Sequence, residues 1–185
     1  MNIKSMLALL FAVFVIAGCA GMEKYKYNGN SYDFNDPVAV SEKTVTKTDK
    51  YTKSKTLEAP ILYLDNDGSI CNLTVFKDVS DDKIIIMVMD TYFRDWRFYF
   101  GASDSDGKSL NFVSLDREVK YCNRGSCTYN ETFALTVDKE YLEKHSASGI
   151  EFKVFGKRKD QVFHIPAGYI KGFLNAMNRA GDIEK

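Results

Sequence analysis

Residues 84–89 read Ile-Ile-Ile-Met-Val-Met, six apolar side chains without a polar break. Successive side chains of an extended chain point to opposite faces, so such a run needs cover on both sides and belongs at the centre of a sheet. Around it the dominant period is two. Strands are expected over 61–64, 70–76, 83–92, 97–100, 110–115, 118–122, 128–137, 150–155 and 161–165, with turn signals between them at short intervals. In 128–137, Tyr129, Phe133, Leu135 and Val137 share one face, and Thr128, Asn130, Thr132 and Thr136 share the other. This pattern predicts a mainly β chain, an antiparallel β-sandwich or barrel.

Two helices interrupt it. Asp138 is placed to cap a short helix near 139–145 that stops before Gly149. After Pro166, a helix near 167–179 puts Tyr169, Ile170, Phe173, Leu174 and Met177 on one stripe with Lys171, Asn175 and Asn178 opposite. Such a stripe ordinarily packs on its own sheet rather than awaiting a partner.

The 25 Lys and Arg residues balance the 25 Asp and Glu residues. With no basic excess there is no electrostatic footprint for nucleic acid. The 13 Phe and 11 Tyr residues suffice for a packed core and exclude the low-hydrophobicity signature of disorder.

The first residues carry a different message. Lys4 precedes an unbroken apolar run over 6–16, the length of a secretory h-region. The run ends in Ile16-Ala17-Gly18-Cys19, which resembles the lipobox of bacterial lipoproteins: an aliphatic residue, two small residues and a cysteine. The resemblance covers the leader alone. It implies that residues 1–18 are a signal peptide, that Cys19 carries a diacylglyceryl thioether, and that the new amino group is acylated. Two or three acyl chains, at about 0.8 kcal/mol per buried methylene, anchor a protein without a transmembrane helix. Ala20 stands where an inner-membrane retention signal of that class would place Asp, so the expectation is an outer-membrane lipid anchor in the cell envelope. The expected organisation is therefore a leader over 1–18, a lipidated Cys19 and tether over 19–37, and one β-rich domain over 38–185. Tyr25, Tyr27, Tyr32 and Phe34 are more aromatics than a spacer needs, so part of the tether is expected to dock on the domain.

An oxidising compartment makes cysteine pairing relevant. Cys122 and Cys127 bracket Asn123-Arg124-Gly125-Ser126 and sit at the neck of one hairpin, so a disulfide between them is expected, while Cys71 reads as a lone buried thiol. Tyr92, Phe93, Trp96, Phe98, Tyr99 and Phe100 interleave with Arg94, Asp95 and Arg97. Exposed, Trp96 would stack on a sugar ring or a peptide, and Arg94 and Arg97 would clamp a carboxylate. The plainer reading is a core hairpin turning at 93–96. The lysines at 43, 47, 50, 53 and 55 read as a polar edge hairpin, although they also suit an anionic surface. Residues 65–68 and 104–107 share an Asp-x-Asp-Gly pattern without the later Glu of a calcium loop, and read as hairpin turns. His145 and His164 are the only imidazoles, so no metal site, cofactor or catalytic residue is assigned.

The functional expectation is a lipid-anchored, non-enzymatic binding or assembly module of the envelope. Its partners would be the membrane, through the lipid on Cys19, and an envelope protein or glycan. The alternative is a carboxylate-based hydrolase of cell-wall or surface glycan, which would need two acidic side chains in a pocket near Trp96.

Overall fold

The computed structural model describes residues 25–27, 30–65, 68–76 and 83–182. The leader, Cys19, Asn66-Asp67 and residues 77–82 lie outside the described residues. The strands are β1 (Tyr25–Tyr27), β2 (Asn30–Tyr32), β3 (Val45–Thr48), β4 (Lys55–Glu58), β5 (Leu62–Tyr63), β6 (Ile70–Phe76), β7 (Lys83–Phe93), β8 (Tyr99–Asp104), β9 (Ser109–Asn123), β10 (Ser126–Asp138), β11 (Ile150–Gly156) and β12 (Gln161–Ile165). The helices are α1 (Pro37–Lys43), α2 (Lys139–His145) and α3 (Ala167–Asp182). The chain is mainly β. Ten strands form one antiparallel sheet in the order β12-β11-β8-β9-β10-β7-β6-β4-β3, with β5 on β6, and the sheet is not closed.

The doubly apolar run lies in β7, between β6 and β10 near the sheet centre. Ile84, Ile86 and Val88 are fully buried on the inner face, and Leu135 and Phe133 of β10 stand opposite Ile86 and Val88. The expected alternation of β10 holds over its second half, with Phe133, Leu135 and Val137 buried and Thr132 and Thr136 on the other face. Toward its start Tyr129 is only partly buried, and Asn130, expected on the polar face with Thr128, is 3% exposed and accepts from Thr91 Oγ1 at 3.0 Å. β8 is joined to β9 only through Ala102 opposite Leu110 and Ser103 opposite Ser109. At this narrow junction the sheet folds over itself, in a sandwich-like way. The Tyr99 ring of β8 meets Phe133 edge-on at 5.6 Å, and Phe163 of β12 lies 6.2 Å from it.

Asp138 caps α2 by accepting from Tyr141 N at 2.7 Å. In α3, Tyr169, Ile170 and Phe173 are fully buried and Leu174 is 8% exposed, so the stripe completes the core. Gly172 lets α1 lie directly on α3, since a Cβ there would sit 2.5 Å from Val40 Cβ. Among the described residues no helix is long and apolar enough to cross a membrane.

Within the segment expected as tether, β1 and β2 pair, and Phe34 is 3% exposed and edge-on to Tyr169 at 6.3 Å, the docking expected of its aromatics. Three features differ from the sequence reading. Helix α1, not among the expected elements, follows that segment at once, with Asp36 as cap and Pro37 at its first position, the two residue types a helix start favours. Strands 110–115 and 118–122 are one strand, β9, whose alternation is broken because Leu115 and Lys120 are extra residues at register shifts against β10. Finally, residues 93–96 do not turn a hairpin: β7 pairs with β6 and β10, β8 pairs with β9 and β11, and this segment carries the chain from one half of the sheet to the other.

Candidate functional site

The inner faces of β7 and β10 change character along their length. Beyond Val88 and Phe133 come Asp90 and Glu131, which stand opposite each other and are 1% and 2% exposed. An isolated buried carboxylate is costly, so each must be matched by donors. Glu131 Oε1 accepts from the amides of Arg97 (3.0 Å) and Phe98 (2.8 Å) and from the Tyr92 hydroxyl. Its Oε2 accepts from the Tyr99 amide and from Arg117 Nε, both at 3.0 Å. Burial pushes the Glu131 carboxyl up, but the bonds from Tyr92, Tyr99, Arg117 and Phe98 outweigh it and hold the group below the ordinary Glu range.

Asp90 accepts from Ser69 Oγ at 2.9 Å on one oxygen, and from Arg97 Nη1 and the Tyr99 hydroxyl, both at 2.6 Å, on the other. Here burial wins over those donors, and the carboxyl is raised. Burial, followed by the Asp90 charge, also pushes the Tyr99 hydroxyl up, so it stays a donor. Arg97 lies over the Tyr92 ring at 4.1 Å and donates further to the Tyr99 hydroxyl at 2.8 Å and to Gln161 at 3.3 Å.

This network holds the loop over residues 94–98. Three successive amides, at 97, 98 and 99, converge on one carboxylate. Arg94 (φ 86) and Phe98 (φ 54) adopt a left-handed backbone that non-glycine residues rarely take. Such conformations persist only where surrounding contacts over-determine them. The loop presents Trp96, partly exposed and packed on Tyr129 at 4.6 Å and Phe98 at 6.1 Å. Arg117 and Arg158 lie 5.7 and 5.8 Å from the Phe98 ring centre. Arg94 is exposed, and Arg158 makes a 3.4 Å solvent-exposed pair with Asp95.

The residues singled out in the sequence therefore divide. Trp96 and Arg94 are at the surface of one loop. Arg97 is turned inward, its side chain 13% exposed, and clamps a carboxylate of its own chain. Arg117 and Arg158 occupy the surface around the aromatics instead, and neither was singled out because only the sheet fold brings β9 and the β11–β12 turn to this loop. Glu131 did leave a signal: it is the one acidic residue on the core face of the 128–137 alternation.

The remaining candidates fall elsewhere. Cys122 and Cys127 are cross-strand neighbours with Cα atoms 4.1 Å apart and sulfurs at disulfide distance, 2.01 Å. The hairpin between them turns on Arg124 (φ 47) and Gly125 (φ 82), the two positive φ values of a type I′ turn. Cys71 is buried and free, and burial pushes its thiol up. The lysine-rich segment forms the β3–β4 hairpin at a sheet edge, with every residue of β3 exposed. Asp104 closes the β8–β9 turn by accepting from the amides of Asp106 (3.1 Å) and Lys108 (2.8 Å). Comparison with known protein families, with curated proteins and with solved structures returns no match for this chain.

Proposed function

We propose that the protein is a lipid-anchored, non-enzymatic binding module of the bacterial envelope, and that residues 94–98 form its contact surface. The observation that carries this reading is the loop itself: Glu131 fixes its amides 97–99 from below, and left-handed backbone at Arg94 and Phe98 brings Trp96 and Phe98 to a surface bearing Arg94 and Arg158. Aromatic rings beside guanidinium groups suit a ligand with a flat ring face and a carboxylate, the chemistry of an acidic surface glycan. The lipobox-like residues 16–19 support the anchor, and Ala20 after them supports the outer-membrane address.

The hydrolase alternative requires two acidic side chains free to act on a bond near Trp96. The two carboxylates beneath the loop, Asp90 and Glu131, are instead consumed by internal donors. The binding reading predicts that Arg94→Ala with Arg158→Ala weakens retention of the full-length protein on acidic cell-wall glycan while leaving its melting temperature nearly unchanged. Equal retention of the double variant would remove the loop as the contact surface. The anchor is tested separately: Cys19→Ser should abolish labelling with radioactive palmitate, and persistent labelling would refute lipidation at that residue.

A further inference from the structure

Away from the aromatic loop, the fold gathers both histidines of the chain onto one cavity of about 440 Å³, whose wall includes Asp106, His145, Glu151 and His164. They arrive from different elements. Asp106 sits in the β8–β9 turn just after Asp104, the last residue of β8, and His145 is the last residue of α2. His164 comes from β12, opposite Glu151 on β11. Gly149 (φ +86) makes this approach possible, because a Cβ there would lie 2.6 Å from Ile165 O and 2.9 Å from His164 Nε2.

Two observations single out the Asp106–His145 side of this cavity and the Asp104 carboxylate beside it. First, ligand-type atoms of Asp104, Asp106 and His145 all lie within 4.8 Å of one another. Second, His145 is 8% exposed and its Nε2 is buried without a hydrogen-bond partner, alone in this among buried side-chain N and O atoms of the described residues. A buried polar atom left unpaired costs about 1–3 kcal/mol, so its retention calls for a physical reason. From these we infer that Asp104, Asp106 and His145 form a binding site for a divalent transition-metal ion, with Zn²⁺ the ion whose chemistry the donors fit best.

The donor set decides the class of ion. Calcium takes six to eight oxygens and magnesium near-ideal octahedral oxygens, whereas one imidazole with carboxylates is a Zn²⁺-type set. Bonds of about 2.0–2.1 Å in a tetrahedron put ligand atoms roughly 3.3 Å apart, so modest rotamer changes close the present separations. Two carboxylates and a neutral imidazole balance the charge of the ion. Asp104 is already oriented, since one oxygen accepts from the turn amides and the other from the Tyr141 hydroxyl at 3.2 Å. Tyr141 and His145 are one turn apart on α2, with ring centres at 4.5 Å. The ion must compete with Lys144, whose Nζ pairs with Asp106 at 2.9 Å; both side chains are well exposed and free to separate. Bound, the ion would tie the β8–β9 turn to the end of α2.

The test is a titration of the full-length protein in detergent, stripped of metal by a chelator, with Zn²⁺ alone in competition with a chromophoric chelator. One ion per chain is expected, with a rise in melting temperature. Asp106→Asn and His145→Gln should each weaken binding by at least the roughly 10- to 100-fold that loss of even an outer-shell partner costs, and Tyr141→Phe should fall within that range. Lys144→Gln should tighten it. Should His145→Gln fail to fold, Asp106→Asn keeps the test open, because its side chain is exposed and its melting without metal reports the fold. Absence of saturable binding in the micromolar range overturns the site. So does binding unchanged in both ligand variants, or displacement of Zn²⁺ by Ca²⁺ at comparable concentration.

Discussion

β7 and β10 run side by side through two different interiors. At one end, Ile84, Ile86, Val88, Phe133 and Leu135 belong to one buried apolar cluster that also takes in residues from both halves of the sheet and from α3. At the other end the same two strands carry Asp90, Tyr92 and Glu131 on the same face, equally buried, each met by a specific donor or acceptor. Apolar burial is non-directional and roughly proportional to area, so the first end specifies that the strands pack. Hydrogen bonds to buried charge are directional and costly to leave unmade, so the second end specifies how one loop sits. The core thus has a stabilising end and a positioning end, built on one alternation.

Substitutions break the comparison most sharply at the apolar end. Phe133→Ala, or Phe173→Ala in α3, should cost about 3–5 kcal/mol in the folding free energy measured by denaturant titration. Neither should change hydrogen exchange at the amides of residues 97–99 beyond what the global loss dictates. Glu131→Gln should cost less, about 1–3 kcal/mol, because the carbonyl oxygen still accepts while part of the donor set is orphaned. Its signature is local: exchange at amides 97–99 accelerates and Trp96 fluorescence shifts. A Glu131→Gln variant with unaltered exchange at those amides would mean that the carboxylate does not hold the loop.

Acid sharpens the same contrast. Glu131 has a folded-state carboxyl held below its unfolded value, so its stabilisation is complete above about pH 4.3 and is lost as pH falls through the folded value. Asp90 is shifted the other way, so the folded state takes up its proton first, and this group alone would gain stability as pH falls from its raised folded value toward its unfolded one. The two partly cancel on acidification. Glu131→Gln should therefore flatten the loss of stability below about pH 4, and Asp90→Asn should make stability fall more steeply with acid, both read from denaturation midpoints across pH.

The smallest effect belongs to the hairpin tip, far from either interior. Closing so short a loop is worth less than the roughly 3 kcal/mol of a 15-residue loop, so Cys122→Ser with Cys127→Ser should cost less than that and loosen only the β9–β10 tip in exchange experiments. Cys71 should resist alkylation until the chain unfolds, since it is buried with its thiol pushed up.

What could be read from the sequence was local. The six-residue apolar run placed a central strand, Asp138 and Pro166 placed the starts of α2 and α3, and the Cys122–Cys127 spacing placed two thiols at one hairpin neck, because alternation, capping and turn chemistry act over a few residues. The Asp36-Pro37 helix start was legible in the same terms but was masked by the polar, aromatic-rich segment before it. The course of β9 was not legible, since its two extra residues scramble the period that marks a strand. Nor was the fate of Arg97: an arginine among aromatics looks alike whether it meets a ligand or its own Asp90, and only the crossing of β8 over β10 decides. The meeting of His145 with the acidic β8–β9 turn, and of His164 with the same cavity, depends on the sheet folding at β8–β9 and on Gly149 admitting the close approach of His164 and Ile165. Which segments extend, coil and turn follows from preferences written in neighbouring residues. Which side chains share a site was decided by the tertiary structure, because the contacts that bring residues 90, 97 and 131 together, or 104 and 145, are made across the sheet and leave no periodic trace along the chain.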